Sequence, residues 1–195
     1  MKNRIIDYII ILVFAIVISI PLMSADFNIY GDDGIQHIAR LMGTYQTITE
    51  GEFPPVIMSN FCNGFGYSWN IFYSPFTAYL PLIFSIFTNS FELMLKLFII
   101  LVAFLSGIAM YEFVKKVSKN RYAGLLAAAI YVFAPYRLTD TYMRVAISEL
   151  ASFIFIPITF LGMYNIFNSE EKSIKSSLML TLGAVGLIIT HTVIT

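Results

Sequence analysis

Asp32 and Asp33 stand side by side in "YGDDGIQHIARL", directly after a run of almost unbroken apolar residues. His37 follows Asp33 by four positions, so on a helix the two share one face. A carboxylate there has two chemical uses. It takes a proton from an acceptor hydroxyl if burial tunes its basicity, or it offers hard oxygen ligands to a divalent cation such as Mg or Mn. A purely structural use competes with both. Asp33 followed by Gln36 has the spacing of a capping box at a helix start. The helix N-terminus would in turn keep that carboxylate ionised.

A second polar cluster lies in "PYRLTDTYMRVAISEL", which carries Arg137, Asp140, Arg144 and Glu149 between two apolar segments. Asp140 and Arg144 are four apart, the spacing of an ordinary helix-surface ion pair worth a few tenths of a kcal/mol, roughly. Two arginines in a loop outside the membrane run against the usual charge bias. They make sense there if their planar guanidinium forks hold a phosphate. Glu149 sits where a span begins, and an ionisable group in that place is a functional candidate by default. His191, in "LIITHTVIT", either packs with a satisfied ring nitrogen or reaches a substrate. Cys62, the single cysteine, has no basic neighbour in sequence to activate it and forms no intrachain disulfide. The candidate catalytic residues are therefore Asp33 and Asp32. The candidate substrate-binding residues are His37, Arg137, Asp140, Arg144, Glu149 and His191. Asp33 and Asp140 are the candidate metal ligands, with the metal itself left open.

The elements that must position these residues follow from composition. Of the 195 residues 58% are hydrophobic and only 12% charged, and mean hydropathy is +0.77. Soluble domains carry about 25% charged residues, so the chain reads as an integral membrane protein. Formal net charge is zero and no basic block is present, which removes the electrostatic basis for nucleic-acid binding. Apolar segments suited to membrane spans fall at 5–23, 91–114, 122–136, 147–167 and 177–195. The first exceeds the roughly 7–15 apolar residues of a signal peptide and reads as an uncleaved anchor. Basic residues cluster before the first span (Lys2, Arg4), in "VKKVSKNR" and in "NSEEKSIKS". All three clusters face the cytoplasm if 72–88, with Pro75 and Pro81, stays at the outer interface. The N-terminus is then inside, and 24–90 forms a long outer loop. Within that loop 33–50 is amphipathic, with Ile35, Ile38, Met42 and Tyr45 on one side and Gln36, His37, Arg40 and Thr44 on the other. It reads as a helix lying on the membrane surface. The chain stops inside an apolar helix, so further spans are expected beyond it.

"GDDGIQHIARL" after a first span, with "AGLLAAAIYVFAPYRLTDTYMR" leading into a second outer loop, resembles membrane glycosyltransferases of the GT-C superfamily. The loops "FPPVIMSNFCNGFGYSWNIFYSPFTAYLP" and "PYRLTDTYMRVAISE" are similar to those of YfhO-like bacterial membrane proteins. That group is related to one named for 6-pyruvoyl-tetrahydropterin synthase, although this chain lacks the clustered histidines of a zinc pterin enzyme. The resemblance implies an all-α polytopic membrane bundle of GT-C type, one module at the N-terminal part of a longer protein. It implies transfer of a sugar from a polyprenyl-phosphate-linked donor at the outer face of the cytoplasmic membrane. Asp33 or Asp32 would be the carboxylate of the first loop, and Asp140 would match the second acidic motif. In this chain that motif is one Asp between Arg137 and Arg144, not a pair of acids, which leaves metal dependence open. The alternative is a non-enzymatic membrane protein, either a lipid-carrier translocase or a scaffold of envelope glycan assembly.

Overall fold

The computed structural model describes residues 2–24, 31–168 and 174–191. Lys172 and residues 192–195 of the last expected span lie outside that set. The fold is all-α: among the described residues the only β feature is an isolated bridge between Met58 and Tyr67. In chain order the helices are α1 (Lys2–Ser19), α2 (Gly34–Thr49), α3 (Trp69–Phe72), α4 (Phe76–Tyr79), α5 (Phe91–Ser118), α6 (Arg121–Val132), α7 (Pro135–Thr139), α8 (Ile147–Phe167) and α9 (Ile174–Thr190). A 3-10 segment, Leu80–Ile86, follows α4, and a π-helical turn, Asp140–Arg144, follows α7. Two of the helices, α5 and α8, are long and apolar enough to cross a membrane.

Helix α5 is the axis of the molecule. It packs against α1, α6 and α8, and α8 packs against α9. Met94, Leu95, Phe98, Ile99 and Val102 of α5 close the main core with Leu22, Leu41, Val145, Ile147 and Leu150. Burying one such side chain is worth about 1.5–3 kcal/mol. Helices α8 and α9 approach closely because small residues face the contact. A Cβ on Gly162 would stand 2.5 Å from the Leu180 nitrogen, and one on Gly183 would stand 2.7 Å from the Thr159 nitrogen. Small residues are the usual means of bringing helices together in lipid, where no water is available to drive association.

The chain reverses tightly at the basic end. Ser118 ends α5, Lys119 takes the left-handed conformation (φ 56), and the Asn120 side chain caps α6 by accepting from the Tyr122 nitrogen at 2.8 Å. The same end is tied by polar contacts that range from buried to exposed. Tyr111 donates to Asp7 Oδ2, Arg121 donates to Asp7 Oδ1 at 2.6 Å, and Arg4 pairs with Glu112 at 3.0 Å. Asp7 is 1% exposed, a buried charge that needs these partners. Arg4 and the Lys115–Arg121 stretch therefore sit together.

At the opposite end lie the described residues between α1 and α5. Helix α2 packs on α4 and α5, and the 3-10 segment packs on α5. The stretch expected as one interfacial helix over 72–88 is broken into pieces. Pro75 precedes α4 as its N-cap and Pro81 opens the second 3-10 position, each without the N–H that a continuous helix needs. Helix α6 ends at Val132, short of the expected 136, because Ala134 turns extended ahead of Pro135.

Candidate functional site: a carboxylate and a buried arginine on one cavity

The first and second loops meet through their backbones. The Asp32 N–H donates to the Met143 carbonyl at 3.1 Å, and the Asp33 N–H donates to the Arg144 carbonyl at 2.9 Å. Gly31 makes this approach possible. Its φ is +36°, and a Cβ there would stand 2.6 Å from the Met143 oxygen. On the other side of the contact, Val145 holds a left-handed backbone (φ 54), which a β-branched residue rarely adopts. The Ala146 N–H closes the turn onto the Asp140 carbonyl at 3.0 Å. The π-turn thus presents two carbonyls to the chain just ahead of α2. π-Turns of this kind recur at functional sites.

An ion cluster holds the turn in place. Arg144 donates to Asp140 Oδ1 at 2.6 Å and to Glu149 Oε2 at 2.8 Å, and Tyr136 donates to Glu149 Oε1. Asp140 is fully buried and its Oδ2 has no hydrogen-bond partner among the described residues. Burial, then the Glu149 charge, push its carboxyl up to about 6, against the pull of Arg144. The Asp140–Arg144 pair expected on a helix surface is therefore present, but in a buried π-turn.

Both arginines expected from sequence to hold an anion have partners within the chain. Arg144 is neutralised by two carboxylates. Arg137 is 1% exposed, donates to Ser106 Oγ at 2.8 Å and lies over the Phe153 ring. Both are occupied in holding α7 and the π-turn to α5 and α8.

Asp33 also departs from expectation. It stands at the N-cap of α2, yet its side chain makes no capping hydrogen bond. Asp33 instead lines a cavity of about 180 Å³ with Gln36, His37, Arg40, Trp69 and Tyr73. Asp32 is exposed and joins only through its backbone. His37 lies beside the Tyr73 ring at 6.5 Å between centroids. Burial, then the Arg40 charge, hold the imidazole down at about 4, so it is neutral at pH 7. His191, at the end of α9, belongs to neither the cavity nor the ion cluster, and its Nδ1 is buried without a hydrogen-bond partner among the described residues.

Arg40 is the residue that the sequence left without a role. It is 2% exposed and forms no ion pair among the described residues. Nε donates to Asn70 Oδ1 at 3.0 Å, and Nη2 donates to the carbonyls of Tyr73 and Ser74. The guanidinium stacks on the Tyr73 ring at 5.0 Å. Nη1 is buried without a hydrogen-bond partner among the described residues. Burial lowers its pKa to about 10, which leaves it charged at pH 7. A buried cation with an idle donor beside a cavity is an incomplete anion site. One signal for it was available in sequence. Arg40 is the only cation in 24–90, a stretch that also holds Asp26, Asp32, Asp33, Glu50 and Glu52.

No family model matches the chain. No solved structure matches it. A protein of Lactococcus lactis subsp. cremoris (strain MG1363), named only as uncharacterized, is 33% identical over 192 residues, or 96% of this chain. The chain spans 31% of that relative's length.

The donor set does not suit a shared divalent cation. Among the described residues Asp33 is the one acidic residue lining the cavity, Arg40 is a cation on the same wall, and Asp140 is engaged by Arg144 and is not part of that lining. Among the described residues no three of His, Cys, Asp or Glu come together as a metal-holding group. What the cavity can do is bind an anion at Arg40 and accept a proton at Asp33.

His37 and Asp140 predict opposite pH slopes of stability. With His37 lowered from 6.5 to about 4, the unfolded chain binds the extra proton between those values, so stability rises with pH. With Asp140 raised from 3.8 to about 6, the folded state binds it, so stability falls with rising pH. Measured against the wild type, the slope of unfolding temperature with pH should become more negative between about pH 4 and 6.5 in His37→Gln and more positive between about pH 3.8 and 6 in Asp140→Asn. Identical slopes in the two variants contradict the assignment.

Proposed function

We propose that the chain is part of a multi-pass protein of the cytoplasmic membrane, of GT-C type, with its N-terminus inside. It transfers a sugar from a polyprenyl-phosphate-linked donor at the outer face. The membrane reading is supported by apolar surface that water would not tolerate. Ile5, Ile9, Val13, Ile16 and Ile20 of the first apolar segment, and Leu178, Leu182 and Ile188 of α9, are each at least half exposed. The orientation is supported by the basic residues gathered at the end opposite Asp33.

The observation that carries the transfer reading is Arg40. Its buried guanidinium, without a carboxylate partner among the described residues, shares a small cavity with Asp33. Arg40 holds the phosphate of the carrier, the part that leaves. Asp33 takes the proton of the acceptor hydroxyl as its oxygen bonds to the anomeric carbon. The bond from that carbon to the phosphate oxygen breaks, and its electron pair departs with the phosphate. Trp69 offers an apolar face for a sugar ring. The rival reading, a lipid-carrier translocase, uses Arg40 in the same way but needs no base. Sugar transfer and carrier binding in membranes carrying Asp33→Asn or Arg40→Gln separate the two. The transferase loses transfer in both variants, whereas a translocase is impaired only by Arg40→Gln. Full transfer with Asp32 and Asp33 both replaced contradicts the proposal.

A further inference from the structure

A second cavity, of about 540 Å³, opens at the basic end between the last turns of α5 and α8. Lys115, Lys116 and Lys119 line it from α5 and its C-cap, and Tyr164, Asn165 and Asn168 line it from α8 and its C-cap. The carboxylate on its wall, Glu112, is already committed to Arg4 at 3.0 Å and to the Tyr8 hydroxyl at 2.7 Å. Lys115 is drawn over the Tyr111 ring at 4.7 Å. Lys116 and Lys119 have no carboxylate partner among the described residues. The left-handed backbone at Lys119 turns the chain here and keeps that lysine beside the cavity. Among the described residues the cavity therefore holds more cation than its acids neutralise.

The surroundings select the form of the anion. Val117, Met163 and Phe167, in the same final turns, are exposed at 43%, 39% and 80%. One turn deeper the rings of Phe113 and Phe160 stack at 6.0 Å, with Phe160 half exposed. Exposed apolar side chains on the same final turns as a lysine-lined cavity match a lipid, with acyl chains along those side chains and phosphate at the ammonium groups.

We infer that this cavity binds the phosphate-bearing headgroup of an anionic phospholipid in the cytoplasmic leaflet. The inference needs the membrane orientation proposed above and none of the transfer chemistry. The full chain, purified in detergent, is titrated with phosphatidylglycerol, with phosphatidylcholine and with inorganic phosphate while thermal unfolding is followed. Phosphatidylglycerol should stabilise the wild type, and the other two should not. Each lysine near an anionic surface contributes about fivefold, so Lys116→Gln with Lys119→Gln should weaken the phosphatidylglycerol response roughly thirtyfold. Both side chains are solvent-facing, so stability in phosphatidylcholine should match the wild type. Arginine at both positions should restore the response, which separates lost charge from lost fold. An unchanged midpoint in the glutamine variant overturns the inference. Equal protection by inorganic phosphate overturns the lipid and assigns the site to a free anion. Neither result touches transfer at Asp33, which is read by a different assay.

Discussion

Asp33→Asn should lower sugar transfer by about 10²–10⁴-fold, the usual contribution of a positioned base, with the fold intact. The substitution removes the proton acceptor and keeps the shape. It costs no helix cap, because the Asp33 side chain makes no capping bond. It leaves the loop junction alone, because that junction uses the Asp33 N–H and not its carboxylate. Asp32→Asn provides the internal comparison. Asp32 is exposed and contributes only its N–H to Met143, so its transfer rate should stay near wild type. Initial rates in membranes, normalised to protein present, check both. Equal loss in the two variants would mean that local charge, and not a base at Asp33, is what matters.

Arg40→Gln should weaken binding of polyprenyl phosphate by about 1.5–3 kcal/mol, or roughly 10–150-fold, the range for a hydrogen bond to a charged group. The variant loses the idle Nη1 donor and the charge together. Stability should change far less than affinity, because two effects oppose. Bonds to Asn70, Tyr73 and Ser74 are lost, while the cost of burying an unpaired cation is relieved. Arg40→Lys should not restore binding, since an ammonium cannot reproduce the fork held between Asn70 and the two carbonyls. Titration of the purified variants with polyprenyl phosphate, alongside their unfolding curves, measures both quantities. Unaltered affinity in Arg40→Gln would remove the anion site.

Composition made the helical class legible, and the spacing of Asp33 and His37 placed two cavity residues together before any coordinates. The rest was hidden for identifiable reasons. Arg40 read as one polar residue on a solvated face, because helical periodicity marks which residues share a side and not what covers that side. The cover is the stretch around Asn70 and Tyr73, some 30 residues away in sequence. Arg137 and Arg144 looked available to an anion because sequence shows neither the burial of Arg137 between Ser106 and Phe153 nor the second carboxylate at Arg144. Glu149 reaches Arg144 only because the π-turn reverses the chain at Val145. The backbone bonds from Asp32 and Asp33 to Met143 and Arg144 have no side-chain signature beyond Gly31. Asp7 carries no signal of its role in the sequence around it, since its partners Tyr111 and Arg121 are more than a hundred residues distant.

The cavity of Asp33 and Arg40 serves a carrier at the outer face only if the first loop lies outside. Cys62 reports this directly. It is the single cysteine of the chain, it is exposed, and it lies in that loop. A membrane-impermeant maleimide added to intact spheroplasts should label the tagged protein to the same extent as after lysis, and a Cys62→Ser control should remain unlabelled. Labelling that appears only after lysis would place the loop, the cavity and Asp33 on the cytoplasmic side and contradict transfer at the outer face.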